Sequence, residues 1–348
     1  MLSAWRREPV LTALGLYAAM GLTAAALSSA PAASLRDAAK DLHRIWALGL
    51  FAAALAVEPE APLLQGLAAS FAAVAAIGIG QSLIGGIRGG IMVRAHGFVH
   101  PVVFGEQMAL AVLGAACCLF RPESLAPRAR RLAALFGALT FAALFLSQAR
   151  MALFAAAAGL AVVSVLEPRA RRWCLPGLVV LAVAVGAWEI LPNGGRSLSA
   201  VLKPYDPASP HQARFALWDA AWRMFRDHPL SGVGPSGYHR FFSVYHPGSL
   251  DGEVDWGSAH NLYLHQLAER GLLGGVALLL LLGALLRRAF RAAFDSTAAR
   301  PLWAASAVTA VLVMSLTETS FQNEQFASLF LLVWAFGTTC LRERAEIL

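Results

Sequence analysis

Apolar runs recur along the whole chain, at about 10–30, 45–57, 63–80, 101–120, 132–146, 151–166, 174–191, 272–286, 302–316 and 326–341. A helix rises about 1.5 Å per residue, so roughly 20 apolar residues cross the hydrocarbon of a bilayer. Several runs fall short of that, so their ends are loose, and a short one can be re-entrant. With 58% hydrophobic and 14% charged residues over 348 positions, the chain lacks the polar surface that a soluble domain of this size must wet. The expected fold is all-α, a single integral membrane domain over residues 1–348 built as a polytopic bundle of about ten transmembrane helices.

The formal charge of +7 would raise nucleic-acid binding in a soluble protein. Here the arginines sit in short connections beside apolar runs, which is an orientation signal, and no nucleic acid is expected. With the N-terminus inside, Arg6 and Arg7, the 121–131 and 169–172 groups, Arg287 to Arg300, and Arg342 with Arg344 fall on one side. Both termini are then cytoplasmic and residues 192–261 form an external loop. The run at 10–30 follows Trp5, Arg6 and Arg7 like a signal peptide, but is long enough to be kept as a first helix. Cys117, Cys118, Cys174 and Cys340 lie toward the reducing side, so no disulfide is expected. Against the charge rule, "SLRDAAKDLHRIW" puts Arg36, Lys40 and Arg44 outside; their helical spacing predicts an amphipathic helix at the interface, with a miscounted span as the alternative.

A loop longer than about 15 residues is usually functional. Within this one, "PHQARFALWDAAWRMFRDHPL" predicts a helix with Arg214, Trp218, Trp222 and Phe225 along a stripe, ended by Pro229. A guanidinium such as Arg214 offers a planar fork that matches phosphate oxygens and keeps its charge, although it can also stack on Trp218 for packing alone. Arg150 stands where one span ends outside and the next begins; it either binds an anion or snorkels to headgroups. His260 and Asn261 open the helix after the loop, and an imidazole there can take a proton from a hydroxyl near neutral pH or simply be solvated.

Other motifs carry less. Gly232, Gly234 and Gly237 lack the Lys-Ser/Thr ending of a phosphate loop and fit a helix stop and turn. Asp251, Glu253 and Asp255 are of the type that holds a divalent cation, yet acids in an outer loop are more often solvated, and no metal site is expected. His260 and His265 are off the i, i+4 spacing of a zinc pair. Glu318 and Glu324 bracket the outer end of the ninth run, either as site acids or as partners of Arg150 or Arg214.

The pieces "RAHGFVHP" from Arg94, "LSQAR" ending at Arg150, "ARFALWDAAWRMFRDHPLSGVGPSGY" from Ala213 and "AHNLYLHQLAERGLLGG" from Ala259, in this order around a long external loop, resemble the O-antigen ligase and polymerase family. The likeness implies a GT-C-like helical glycosyltransferase of the bacterial inner membrane, with a periplasmic, metal-independent and cofactor-free site. It implies that Arg150 and Arg214, with Arg94 as a further cation, hold the diphosphate of an undecaprenyl-diphosphate-linked glycan, and that His260 is catalytic. Asn261, Trp218 and Glu318 are the expected supporting residues. The acceptor would be the lipid A-core in a ligase, another lipid-linked glycan in a polymerase, or a protein hydroxyl; a transporter of lipid-linked glycan is the non-enzymatic alternative. Family members commonly have more spans than are counted here, which leaves the acceptor side undefined.

Overall fold

A computed structural model describes residues 9–57, 60–89, 93–121, 126–174, 176–177, 179, 210–248, 250 and 256–339. The described residues are helical with no strand: α1 (Pro9–Ala26), α2 (Pro31–Ala38), α3 (Lys40–Val57), α4 (Glu60–Gly89), α5 (Pro101–Phe120), α6 (Pro127–Leu146), α7 (Arg150–Leu166), α8 (Pro210–Asp227), α9 (Gly237–Tyr245), α10 (Leu262–Phe294), α11 (Ala299–Met314) and α12 (Glu324–Thr338). Nine of the ten apolar runs fall on these helices, and the run at 174–191 lies almost wholly outside the described residues. Among the described residues, five helices are long and apolar enough to cross a membrane, Pro9–Ala26, Ala61–Ile87, Pro101–Phe120, Pro127–Leu146 and Leu262–Phe294, with Arg150–Leu166 and Ala299–Met314 as shorter apolar helices. This is a multi-pass helical membrane protein.

Local chemistry sets the helix starts. Proline opens α2, α5 and α6, where its missing N–H would have had no intrahelical partner. Asn261 Oδ1 accepts from Leu264 N at 3.0 Å to cap α10, and Asn323 Oδ1 does the same for Phe326 N at 3.0 Å on α12.

The chain forms two compact units. One comprises residues 46–175, 285–314 and 320–348. In it α7 and α11 pack together, as do α5 and α6. Trp303 of α11 donates its indole N–H to the Leu110 carbonyl of α5 at 2.8 Å, which lets a large ring sit in the interior without stranding its polar atom.

The other unit comprises residues 1–45, 176–284 and 315–319. Its central feature is a break in α10 at Gly271, where φ is +60° and ψ −158°, a conformation open essentially to glycine alone. The turn after α8 repairs the break. Val233 N and Gly234 N donate to the carbonyls of Ala268 and Glu269, both at 2.9 Å, while Leu272 N and Leu273 N donate to Pro229 and Leu230 at 2.8 and 3.3 Å. The "HPLSGVG" and "ERGLLGG" segments are thus two halves of one backbone exchange, and the glycines serve as helix stop and turn. A Cβ on Gly271 would lie 2.3 Å from the Leu230 oxygen, and one on Gly232 would lie 2.3 Å from the Glu269 carbonyl carbon. Gly271→Ala is therefore expected to destabilise the protein by roughly 3–5 kcal/mol from dihedral strain and overlap together. A thermal unfolding midpoint in detergent close to wild type would show that the backbone there is not held as described.

The charged stretch at 34–46 differs from its expectation. It is two helices parted at Ala39 rather than one. Asp41 and Arg44 are buried, Asp41 pairs with Arg44, and its other oxygen lies 2.6 Å from Arg270 of α10. The Arg270 guanidinium also covers the Tyr17 ring at 4.7 Å. Helical spacing groups Arg36, Lys40 and Arg44, but only Arg44 is buried, with Asp41, beside a buried cation that desolvation makes worth pairing; Arg36 and Lys40 are exposed.

Candidate functional site

Helix α8 places Arg214. Its buried face is Ala213, Ala216, Leu217, Ala220, Ala221 and Met224, which packs on Val233, Tyr238 and Phe242. The aromatic stripe is not that face, since Trp222 is 47% exposed. Small residues inside let α8 approach α9 closely, and Tyr238 ties the two by donating its hydroxyl to the Leu217 carbonyl at 2.9 Å. Burial, with Glu269 beside it, pushes the Tyr238 phenol well above its usual range, so it remains a donor. Glu269 accepts from Tyr238 N at 3.2 Å and lies 3.5 Å from His265 Nε2, so both of those α10 side chains are engaged in holding the first turn of α9 and the start of α10.

Residues 315–319 run beside the start of α10. Leu262 N donates to the Ser315 carbonyl at 2.9 Å and Asn261 Nδ2 donates to the Leu316 carbonyl at 2.9 Å. This register delivers Glu318. Its Oε1 accepts from Arg214 Nη2 at 2.7 Å, and its Oε2 lies 2.9 Å from His260 Nδ1. The carboxylate is buried at 8% exposure, whereas about a third of the Arg214 and His260 side chains is open, 35% and 34%. One buried acid therefore organises two reachable groups, a cation and an imidazole. A carboxylate on Nδ1 orients the ring and leaves Nε2 for a reacting proton, the division of labour seen in histidine bases generally.

His260 has φ +46°, a left-handed conformation uncommon for a non-glycine residue and enriched at functional positions. The Trp256 ring meets it edge-on at 5.9 Å, and Trp256 Nε1 donates to the Leu250 carbonyl at 3.2 Å. Trp256 is a site residue that sequence reasoning missed; its signal was an aromatic four residues before the histidine, beside the acidic run. Asn261 is taken up by the helix cap and the Leu316 contact, so its support is to fix the register that carries Glu318. Trp218, one turn on from Arg214, packs edge-on against Phe215 at 5.6 Å, and its buried Nε1 has no hydrogen-bond partner among the described residues.

Arg94 and Arg150 belong to the other unit, where they flank one turn. Arg94 Nε donates to the Ser147 carbonyl at 2.9 Å, Ala95 N donates to the Leu146 carbonyl at 2.9 Å, and Gln148 turns at φ +54°. Arg150 then opens α7 and is half-buried. Glu324, also of that unit, is exposed in the first turn of α12, where a negative charge suits the helix dipole. Asp251, Glu253 and Asp255 lie outside the described residues.

A helical membrane fold that brings a histidine, a buried acid and an arginine together defines a class, the multi-pass membrane proteins that carry a charged cluster. Residues 135–279, from within α6 to the middle of α10, match the O-antigen ligase family. The likeness covers that stretch alone, which is under half of the chain. A 72-residue stretch is 35% identical to an uncharacterized protein of Haemophilus influenzae, covering 20% of this chain and 18% of that protein.

Proposed function

We propose that the protein transfers a glycan from undecaprenyl diphosphate to an acceptor hydroxyl at the periplasmic face of the inner membrane. The observation that carries this reading is the single carboxylate of Glu318, which holds both His260 Nδ1 and Arg214. His260 Nε2 takes the acceptor proton as the acceptor oxygen attacks the anomeric carbon. The bond from that carbon to the diphosphate breaks, and the configuration inverts. Arg214 receives the diphosphate, and Arg150 and Arg94 are assigned to the same anion by their motifs. Preorganised guanidinium groups stabilise the departing charge where other transferases use a metal. The fold reading that goes with this is GT-C-like.

The acceptor proposed first is the lipid A-core, which makes the protein a ligase; a second lipid-linked glycan makes it a polymerase, and a protein hydroxyl a third type of transferase. Purified protein in liposomes, given a lipid-diphosphate glycan and each acceptor in turn under excess chelator, should yield a shifted product on a gel. Absence of transfer, with donor instead moved across the bilayer, would replace the enzyme by a transporter. Loss of transfer on chelation that magnesium or manganese restores would shift weight to Asp251, Glu253 and Asp255.

Sidedness provides an independent check. Cysteines introduced at Ser209 and Gly248 should react with an impermeant thiol reagent in cells stripped of their outer membrane, and cysteines at Arg128 or Arg287 should not. The reverse pattern would put the site on the cytoplasmic face and defeat the proposal.

A further inference from the structure

We propose that Glu318 is a positioning residue that couples donor binding to the activation of His260. The inference rests on the reading of Arg214 as the diphosphate-binding group. Each carboxylate oxygen of Glu318 has one partner, Oε1 with Arg214 Nη2 at 2.7 Å and Oε2 with His260 Nδ1 at 2.9 Å. The two partners are held very differently. His260 and Glu318 sit on neighbouring stretches pinned together through Asn261, Leu262, Ser315 and Leu316. Arg214 reaches the carboxylate from α8 on a long, partly exposed side chain.

An incoming diphosphate presents more negative charge than one carboxylate and matches the guanidinium fork in shape, so it competes for Arg214 with advantage. Glu318 cannot follow, because its backbone register is fixed. Once Arg214 has turned to the diphosphate, the carboxylate charge acts on the imidazole alone. Among the described residues, the titratable and charged groups around His260 are Glu318, Arg214 and, one turn into α10, the buried His265, which is already engaged with Glu269. Removal of the arginine from this set leaves both carboxylate oxygens to the imidazole. His260 is therefore held by the whole carboxylate, with Nε2 turned to the acceptor, only when a donor is in place. In the empty site that carboxylate is shared.

This arrangement makes Arg214 the ligand of two competing anions, which gives a signature that a merely structural acid lacks. Soluble inorganic pyrophosphate is the probe, titrated calorimetrically into the whole protein in lipid nanodiscs, alongside transfer kinetics. Glu318→Gln removes the internal competitor, so pyrophosphate should bind about tenfold more tightly, while kcat falls by about a hundredfold because the base loses its orienting charge. Tighter binding with slower turnover supports the coupling. Pyrophosphate binding that is unchanged or weaker in Glu318→Gln overturns it. Glu318→Asp, which keeps the charge but is one methylene too short for both partners, serves if the glutamine variant does not fold: it should tighten binding and slow turnover in the same sense, and wild-type values for both would overturn the proposal. If pyrophosphate binds none of these proteins, the donor-site reading of Arg214 fails as well, an outcome distinct from equal binding by all.

Discussion

His260→Asn is expected to lower kcat for glycan transfer by about 10³-fold to 10⁴-fold, the range lost when a positioned acid or base is removed. Asparagine is the informative substitute because His260 stands at φ +46°, and asparagine is among the few residues that tolerate this region. Backbone strain then cannot account for the loss. Glu318 keeps Arg214 as a partner at 2.7 Å in this variant, so the cation stays in place and binding of the lipid-diphosphate donor should be nearly unchanged. The measurement is single-turnover transfer in liposomes, with donor binding followed separately. A variant that retains a tenth or more of wild-type turnover would show that the acceptor proton leaves by another route. A variant that loses donor binding and turnover together would recast His260 as part of the diphosphate site.

Arg214→Lys should lose most activity while the protein still inserts and folds. An ammonium keeps the charge but has no planar fork, so it cannot match the paired oxygens of a diphosphate as a guanidinium does. The expected loss is about 10²-fold or more in kcat/KM, the scale of removing one charged stabiliser of a departing group. Insertion should be unaffected because α8 is fixed by its buried alanines, Leu217 and Met224 rather than by Arg214. Near-wild-type turnover with lysine would leave Arg214 as an ordinary surface cation, and would also remove the premise of competition at Glu318.

The membrane fold was legible because it is written in one dimension: long apolar runs, proline at helix starts, and Pro229 just past the end of α8 at Asp227. The charged stretch at 34–46 misled because helical spacing shows which residues share a face and not what the face meets; its partner, Arg270, lies on another helix. The helix of α8 was legible from its aromatic stripe, but its packing face was not, because the alanines that are buried mark a face less visibly than large rings do. At the candidate site, Arg214 and His260 were visible as unusual residues at the outer ends of segments. The pairing of Glu318 with Arg214 was one of the alternatives the sequence left open; its second contact, to His260, was not visible, because it depends on the register of 315–319 against 258–262, set by hydrogen bonds between stretches far apart in sequence. Trp256 stood in plain view but carried no charge to single it out.

The backbone exchange at Gly271 also bears on the order in which this region is made. The carbonyls of Pro229 and Leu230 and the amides of Val233 and Gly234 leave the ribosome before the stretch from Ala268 to Leu273 that they complete. In the proposed topology they are already outside when α10 enters the bilayer. A nascent α10 that stayed continuous would need no partner and could slide deeper into the lipid. In that topology, pairing with the waiting turn would stop it at Gly271, so that the turn would set how far the helix enters and would leave the residues before it, with His260, in the water-facing layer.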